Sequence, residues 1–98
     1  MTELRFEWDD RKAAKNRRDH GVTFDEAKTV LGDDNRMIQP DVEHSTDEER
    51  CKVIGFSDQG RLLLVIITER HEAIIRLISA RRATRKEETG YARQFQSP

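Results

Sequence analysis

The sequence predicts an α+β fold: an N-terminal strand, two helices, an antiparallel strand meander and a C-terminal helix. Three observations carry this reading. Near the N-terminus Leu4, Phe6 and Trp8 alternate with charged residues, the period of a half-buried strand. Thr23 with Glu26, and Thr84 with Glu87, each spell a capping box and mark the start of a helix. Between residues 51 and 80, three apolar segments are joined by connections too short for the crossover that parallel strands require.

The elements follow in order. The first strand occupies residues 4–8. Asp9 or Asp10 then caps a helix over residues 11–19, whose apolar members are only Ala13 and Ala14, so its surface is mostly solvated or given to a polar partner. His20-Gly21 ends it, with Gly21 suited to a left-handed cap. The second helix opens at Thr23, with Val22 placed to staple onto Ala27, and buries Phe24, Ala27, Val30 and Leu31 before Gly32 stops it. An acidic, irregular segment over residues 33–49 holds a short strand at 36–39, ahead of Pro40. Strands at 51–57, 61–68 and 73–80 come next, joined by Asp58-Gln59-Gly60 and by the polar turn Arg70-His71-Glu72. Residues 62–67 are apolar on both faces, which predicts the central strand. The closing helix starts at Thr84 and carries Tyr91 and Phe95 one turn apart. Gly90 within it costs about 1 kcal/mol relative to alanine, so its last turns depend on packing or on a partner.

Ninety-eight residues predict a single domain, 1–98, with 96–98 as a frayed tail. Hydrophobic residues make up 35% and charged ones 38%, so the core is small and a partner chain would usefully cover what it leaves exposed. The longest apolar run has six residues, against the roughly 20 of a membrane helix, and the N-terminal residues lack the apolar stretch of a secretory signal. A lone Cys51 makes no internal disulfide and reads as a small strand residue. Together these predict a cytoplasmic protein that does not engage a membrane.

Charge is unevenly distributed. The net charge is -1 overall, but residues 1–20 carry +1, residues 21–50 carry -6 and residues 51–98 carry +4. Residues 76–86 hold five basic side chains and no acidic one, where the last apolar strand hands over to a helix. That is the footprint of a site for a phosphate backbone, on a molecule with one surface facing nucleic acid and another repelling it. A pI near 6.3 works against loose RNA binding, and Glu88 stands where a further basic residue would widen the patch.

Several blocks also resemble the BrnT family, toxins of type II toxin-antitoxin pairs. They are Phe6-Glu7-Trp8-Asp9, the Lys15-Asn16 pair, His20-Gly21-Val22-x-Phe24-x-Glu26-Ala27, His44-Ser45-x-x-Glu48-Glu49-Arg50, Gly55, and Ile78-Ser79-Ala80-Arg81-x-Ala83 with Glu87 and Tyr91. The resemblance runs from about Phe6 to Tyr91, and the blocks around His44 and Ile78 are specific in combination. It implies a RelE-like fold, ribonuclease activity that stops translation, and a cognate antitoxin that neutralises the toxin and binds operator DNA, so that DNA is met only through the antitoxin complex.

Metal-independent RNA cleavage needs a base for the 2'-hydroxyl, an acid for the leaving 5'-oxygen and fixed cations for the phosphate. Arginine serves the last need through its planar, permanently charged fork. The catalytic candidates are His44, Arg50, Arg76 and Arg81. Arg76 sits in an apolar strand on one face with Ile74 and Ile78, so its charge meets an anion or cleft, or pairs with Glu49 or Glu69. By strict alternation Arg81 lies on the opposite face, with Ile75, Leu77 and Ser79, so the strand must end or twist near Ala80 if both arginines serve one site. Arg81 either contacts phosphate or bridges to a carboxylate. Arg50 is a transition-state cation or the partner of Glu48 or Glu49. His44 is the first candidate for proton transfer, because imidazole titrates near neutrality. Lys12, Lys15 and His20 form a second basic cluster that lines an RNA groove or a solvated helix face, and Arg82, Arg85 and Lys86 are peripheral RNA contacts or solvated. Asp41, Glu43 and His44 are ligand types without a zinc spacing, so neither metal nor cofactor is expected. The alternative to a nuclease is a noncatalytic nucleic-acid or antitoxin-binding module acting as a co-repressor. A purely structural use of the arginines leaves the charge segregation unexplained.

Overall fold

Period-two apolar patterning becomes five strands among the described residues: β1 (Arg5–Glu7), β2 (Met37–Pro40), β3 (Cys51–Phe56), β4 (Leu62–His71) and β5 (Ile74–Arg82). A computed structural model of the chain describes residues 4–43, 45, 48–71 and 73–96. The strands form one sheet in the order β1-β5-β4-β3-β2. β2 to β5 are antiparallel neighbours, whereas β1 runs parallel to β5, with Arg5 opposite Ile74 and Glu7 opposite Arg76. The central position of β4 follows from its apolar residues on both faces. No described helix is long and apolar enough to cross a membrane.

Three helices complete the order expected from sequence: α1 (Asp10–His20), α2 (Phe24–Ala27) and α3 (Arg85–Ala92). Asp9, of the two candidates, is the cap of α1: its carboxylate accepts from the backbone N–H groups of Arg11 at 2.8 Å and Lys12 at 3.1 Å. Gly21 closes the helix at φ 67°, donating to Arg17 C=O. At α3 the capping box is reciprocal, Glu87 N–H to Thr84 Oγ1 and Thr84 N–H to Glu87 Oε1. At α2 it is half made. Thr23 Oγ1 accepts from Glu26 N–H, but the Glu26 carboxylate takes the Arg61 guanidinium and the Ser57 hydroxyl instead. The helix also tightens into a 3-10 segment over Lys28–Gly32, shorter than its apolar stripe predicts.

Pairing register assigns the faces. Val53, Leu63, Val65, Ile67, Ile75, Leu77 and Ala80 point to one side, where Val22, Phe24, Ala27 and Val30 cover them. Fully burying a side chain such as Leu77 or Phe24 contributes about 1.5–3 kcal/mol. Phe6 and Trp8 pack on this core as expected, with Trp8 edge-on to Phe24 at 5.9 Å. Leu64 and Ile66 face the opposite side.

Two irregularities reshape the meander. β4 and β5 run past their predicted ends, so the polar stretch Arg70-His71-Glu72 is not all turn: Arg70 and His71 are strand, and Glu72 lies outside the described residues. Exposed polar residues carry no alternation to read, and pairing with β1 extends the sheet there, Arg5 N–H donating to Ala73 C=O. The second irregularity is a bulge. Ile66 pairs with Ser79 but Ile67 pairs with Leu77, leaving Ile78 as an extra residue.

Candidate functional site

The bulge at Ile78 decides which side chains share a face. Before it, Ile75 and Leu77 enter the core; after it, Ala80 does, at 1% exposure. Ser79 and Arg81 therefore turn onto the face that carries Arg76, which strict alternation forbids. A cleft of about 290 Å³ opens on this face, with His20, Arg50, Ser79 and Arg81 around a floor that includes Leu64 and Ile66.

Three separate parts of the chain deliver its charged groups. Arg50 precedes β3, and its backbone is held on both sides: Asp41 N–H donates to Arg50 C=O at 2.8 Å, and Arg50 N–H donates to Ser45 Oγ at 3.0 Å. Thr68 Oγ1 donates to Glu49 C=O and ties this loop to β4. Glu48 lies 4.0 Å from the Arg50 guanidinium, a weak contact, and the Arg50 Nε is buried with no hydrogen-bond partner among the described residues. A buried donor left unmade is costly, and functional sites are where such costs persist.

Arg81 makes a bidentate pair with Glu87, at 2.8 and 3.0 Å, and donates to Arg82 C=O. The hydrogen bond from Arg81 holds Glu87 below the ordinary carboxylate range, and the same contact raises the Arg81 guanidinium further. The carboxylate bridge left open by the sequence is thus present. It leaves the Arg81 Nε–H and one Nη2–H for the cleft.

His20 arrives from α1, which lies along the part of β5 that β1 does not cover. Asn16 fixes the helix there. Its Nδ2 donates to Ala80 C=O at 2.8 Å and to Val22 C=O at 2.9 Å, and its Oδ1 accepts from Ala80 N–H at 2.9 Å. The amide thus completes Ala80 as a neighbouring strand would.

The other expected site residues are dispersed. Arg76 does not line the cleft: its Nη1 lies 3.4 Å from Glu7 Oε1, so its carboxylate is on β1 rather than Glu49 or Glu69. Sequence spacing could not find this pair, because it depends on the parallel β1–β5 contact. His44 lies outside the described residues. Lys12 and Lys15 border a neighbouring hollow of about 240 Å³ that shares His20 and Ser79 with the cleft, although Lys15 is paired with Asp19. Arg82 turns to the α2 side, opposite Leu63. Lys86 lines a separate groove of about 400 Å³ with Lys52 and Tyr91, and Arg85 is exposed in the first turn of α3. No group of metal-ligating side chains occurs among the described residues.

Sequence reasoning missed Asn16 as an edge partner and Glu7 as the Arg76 counter-ion, and it saw Glu87 only as a cap. For Asn16 the available signal was a polar residue one turn before the helix end, on a helix with almost no apolar face.

Chemically, the cleft offers cations, a hydroxyl and an imidazole over an apolar floor, the groups that a phosphodiester and its leaving oxygen require. The family model described as "Ribonuclease toxin, BrnT, of type II toxin-antitoxin system" matches residues 8–87. The crystal structure of the Brucella abortus ribonuclease toxin BrnT superposes with a TM-score of 0.65 at 21% identity, over 84% of this chain and 99% of that one. A comparison with curated proteins gave no match. The family match spans most of the chain, the blocks around His44 and Ile78 fall within it, and the chain belongs to the BrnT family of ribonuclease toxins of type II toxin-antitoxin systems.

Proposed function

We propose that the protein is an endoribonuclease toxin that cuts RNA without a metal, inhibits translation, and is neutralised by a cognate antitoxin through which alone it meets operator DNA. The supporting observation is the cleft that gathers Arg50, Arg81 and His20 from separate chain segments over one apolar floor. Arg50 is the anchoring cation, because its guanidinium is under-bonded among the described residues. Arg81 supplies its remaining donors to the same phosphate while Glu87 holds its plane. Lys12 and Lys15 extend the track along α1, and Lys86 and Arg85 extend it along α3. His44 keeps its candidacy for proton transfer from the loop that leads to Arg50. Arg76, bound to Glu7 and outside the cleft, is assigned a supporting role in the field rather than a phosphate contact.

The test is cleavage of total RNA by purified protein in excess EDTA, with mapping of the new ends. The expected result is cyclic-phosphate ends for the wild type and at least about 100-fold slower cutting by folded Arg50→Ala and Arg81→Ala. One observation favours a second reading: Arg81 already has a carboxylate on its fork. RNA left intact by folded wild type, with and without ribosomes, would assign the protein instead to a noncatalytic role as co-repressor with its antitoxin.

A further inference from the structure

We infer that His20 is the general acid of the cleft, protonating the 5'-oxygen as it leaves. This rests on the reading of the cleft as a ribonuclease centre and adds to it a residue whose expected part was RNA binding alone.

The placement carries the argument. His20 is the last residue of α1, directly before the left-handed Gly21, so the helix stops there and the imidazole stands at an exposed end. Asn16 lies one helical turn earlier, on the same face, and its amide is locked to both backbone groups of Ala80. That lock sets His20 beside Ile78, Ser79 and Ala80, where it borders the cleft together with Arg50 and Arg81. Arg61 secures the following residue as well, donating from Nη2 to Gly21 C=O at 3.2 Å. Rigid elements on both sides of a titratable group are what a proton donor needs if its geometry is to hold during the reaction.

The surroundings leave the imidazole available. Asp19, the adjacent carboxylate, is engaged by Lys15, and no described residue forms a hydrogen bond with the His20 ring. The charged groups that share its two hollows are Lys12, Lys15 and Asp19 from its own helix, Arg50 from the loop before β3, and Arg81 from β5. The two arginines hold the phosphate oxygens and keep their own protons, so the proton must come from another group, and His20 brings the imidazole that lines the cleft beside them.

In the step, the 2'-oxygen attacks phosphorus and its proton passes to solvent. The bond from phosphorus to the 5'-oxygen breaks, and the imidazolium proton moves to that oxygen. The products are a 2',3'-cyclic phosphate, a 5'-hydroxyl and neutral His20, which solvent reprotonates.

The experiment uses two oligoribonucleotides carrying a cleavage site mapped in total RNA, one natural and one with sulfur replacing the 5'-bridging oxygen at that bond. A thiolate leaves without a proton. His20→Ala and His20→Gln should cut the natural oligomer at least about 100-fold more slowly than wild type, yet cut the sulfur oligomer within about 10-fold of wild type. Equal losses on both oligomers, or wild-type rates on the natural one, overturn the His20 assignment and leave the ribonuclease reading standing. A folded wild type that leaves both oligomers intact overturns that reading, and His20 with it. Circular dichroism and thermal unfolding establish that the variants are folded, and the exposed helix end makes this the expected result.

Discussion

On the sheet face covered by α2, Val53, Leu63, Val65 and Leu77 are fully enclosed, whereas on the other face Leu64 and Ile66 form a floor with Arg50, Ser79 and Arg81 standing around it. Each face also has an Arg–Glu pair. Arg61 and Glu26 meet at the edge of the core, where Glu26 additionally takes the Ser57 hydroxyl and is 4% exposed. Arg81 and Glu87 meet beside the cleft, where Glu87 also caps α3 and part of the arginine remains accessible. The first pair joins α2 to the hairpin, and among the described residues the Arg61 donors outside it go to Gly21 C=O or stay unbonded on Nη1. The second joins a helix start to a site, and Arg81 lines the cleft with Nε–H and one Nη2–H unbonded among those residues. The difference teaches that neither ion-pair geometry nor the number of donors left over separates structural from functional arginines; the surface on which the arginine stands does.

The largest expected effect breaks the closed face. Leu77→Ala removes a fully enclosed side chain and should cost about 3–5 kcal/mol in urea unfolding, while Ile54→Ala, half-buried opposite Leu64 on the open face, should cost under about 2 kcal/mol. Equal costs would mean that both faces are closed in solution. Arg50→Met should separate activity from stability, slowing RNA cleavage at least about 100-fold while holding or raising the urea midpoint, because it removes a guanidinium whose buried Nε has no hydrogen-bond partner among the described residues. A fall of several kcal/mol would instead make Arg50 a structural residue.

Glu26→Gln tests the pair at the edge of the core and should cost about 2 kcal/mol at neutral pH, with Arg61 kept partly in water. The hydrogen bond from Arg61, helped by Ser57, holds Glu26 below its ordinary 4.5. Its contribution is therefore present above 4.5 and lost as pH falls toward the depressed folded value, so the wild-type and Glu26→Gln curves should converge in acid. A constant gap across that window would remove Glu26 from the account. Tyr91→Phe is milder, about 1 kcal/mol, since it deletes the 2.6 Å bond that the phenol donates to Asp33. Burial first, and then Asp33, push the Tyr91 hydroxyl up from 10.0 to about 12. Because the folded value is raised, this contribution is whole below 10 and lost as pH rises through 12, and the chain's single tyrosine makes it readable by ultraviolet titration. The smallest effect is a gain. Gly90→Ala meets nothing within 4 Å and should stabilise α3 by up to about 1 kcal/mol.

Local rules carried much of the fold. Asp9, Gly21, Thr84 and Glu87 act within a few residues of where they sit, so their caps were legible. The Thr23–Glu26 box was legible only in part, because a carboxylate able to reach back to its own helix found a stronger partner, Arg61, in a hairpin far along the chain. The candidate site was legible as a set of arginines and a histidine, but not as a place.

The sequence by itself determined the order of elements, the central apolar strand and the basic handover into the last helix, since periodicity and capping are properties of neighbours. Only tertiary structure decided that β1 pairs in parallel with β5, that Arg76 is spent on Glu7, and that an extra residue at Ile78 turns Arg81 toward Arg50 and His20. Those outcomes depend on backbone pairing between segments remote in sequence, where one residue of register moves every side chain beyond it to the other face.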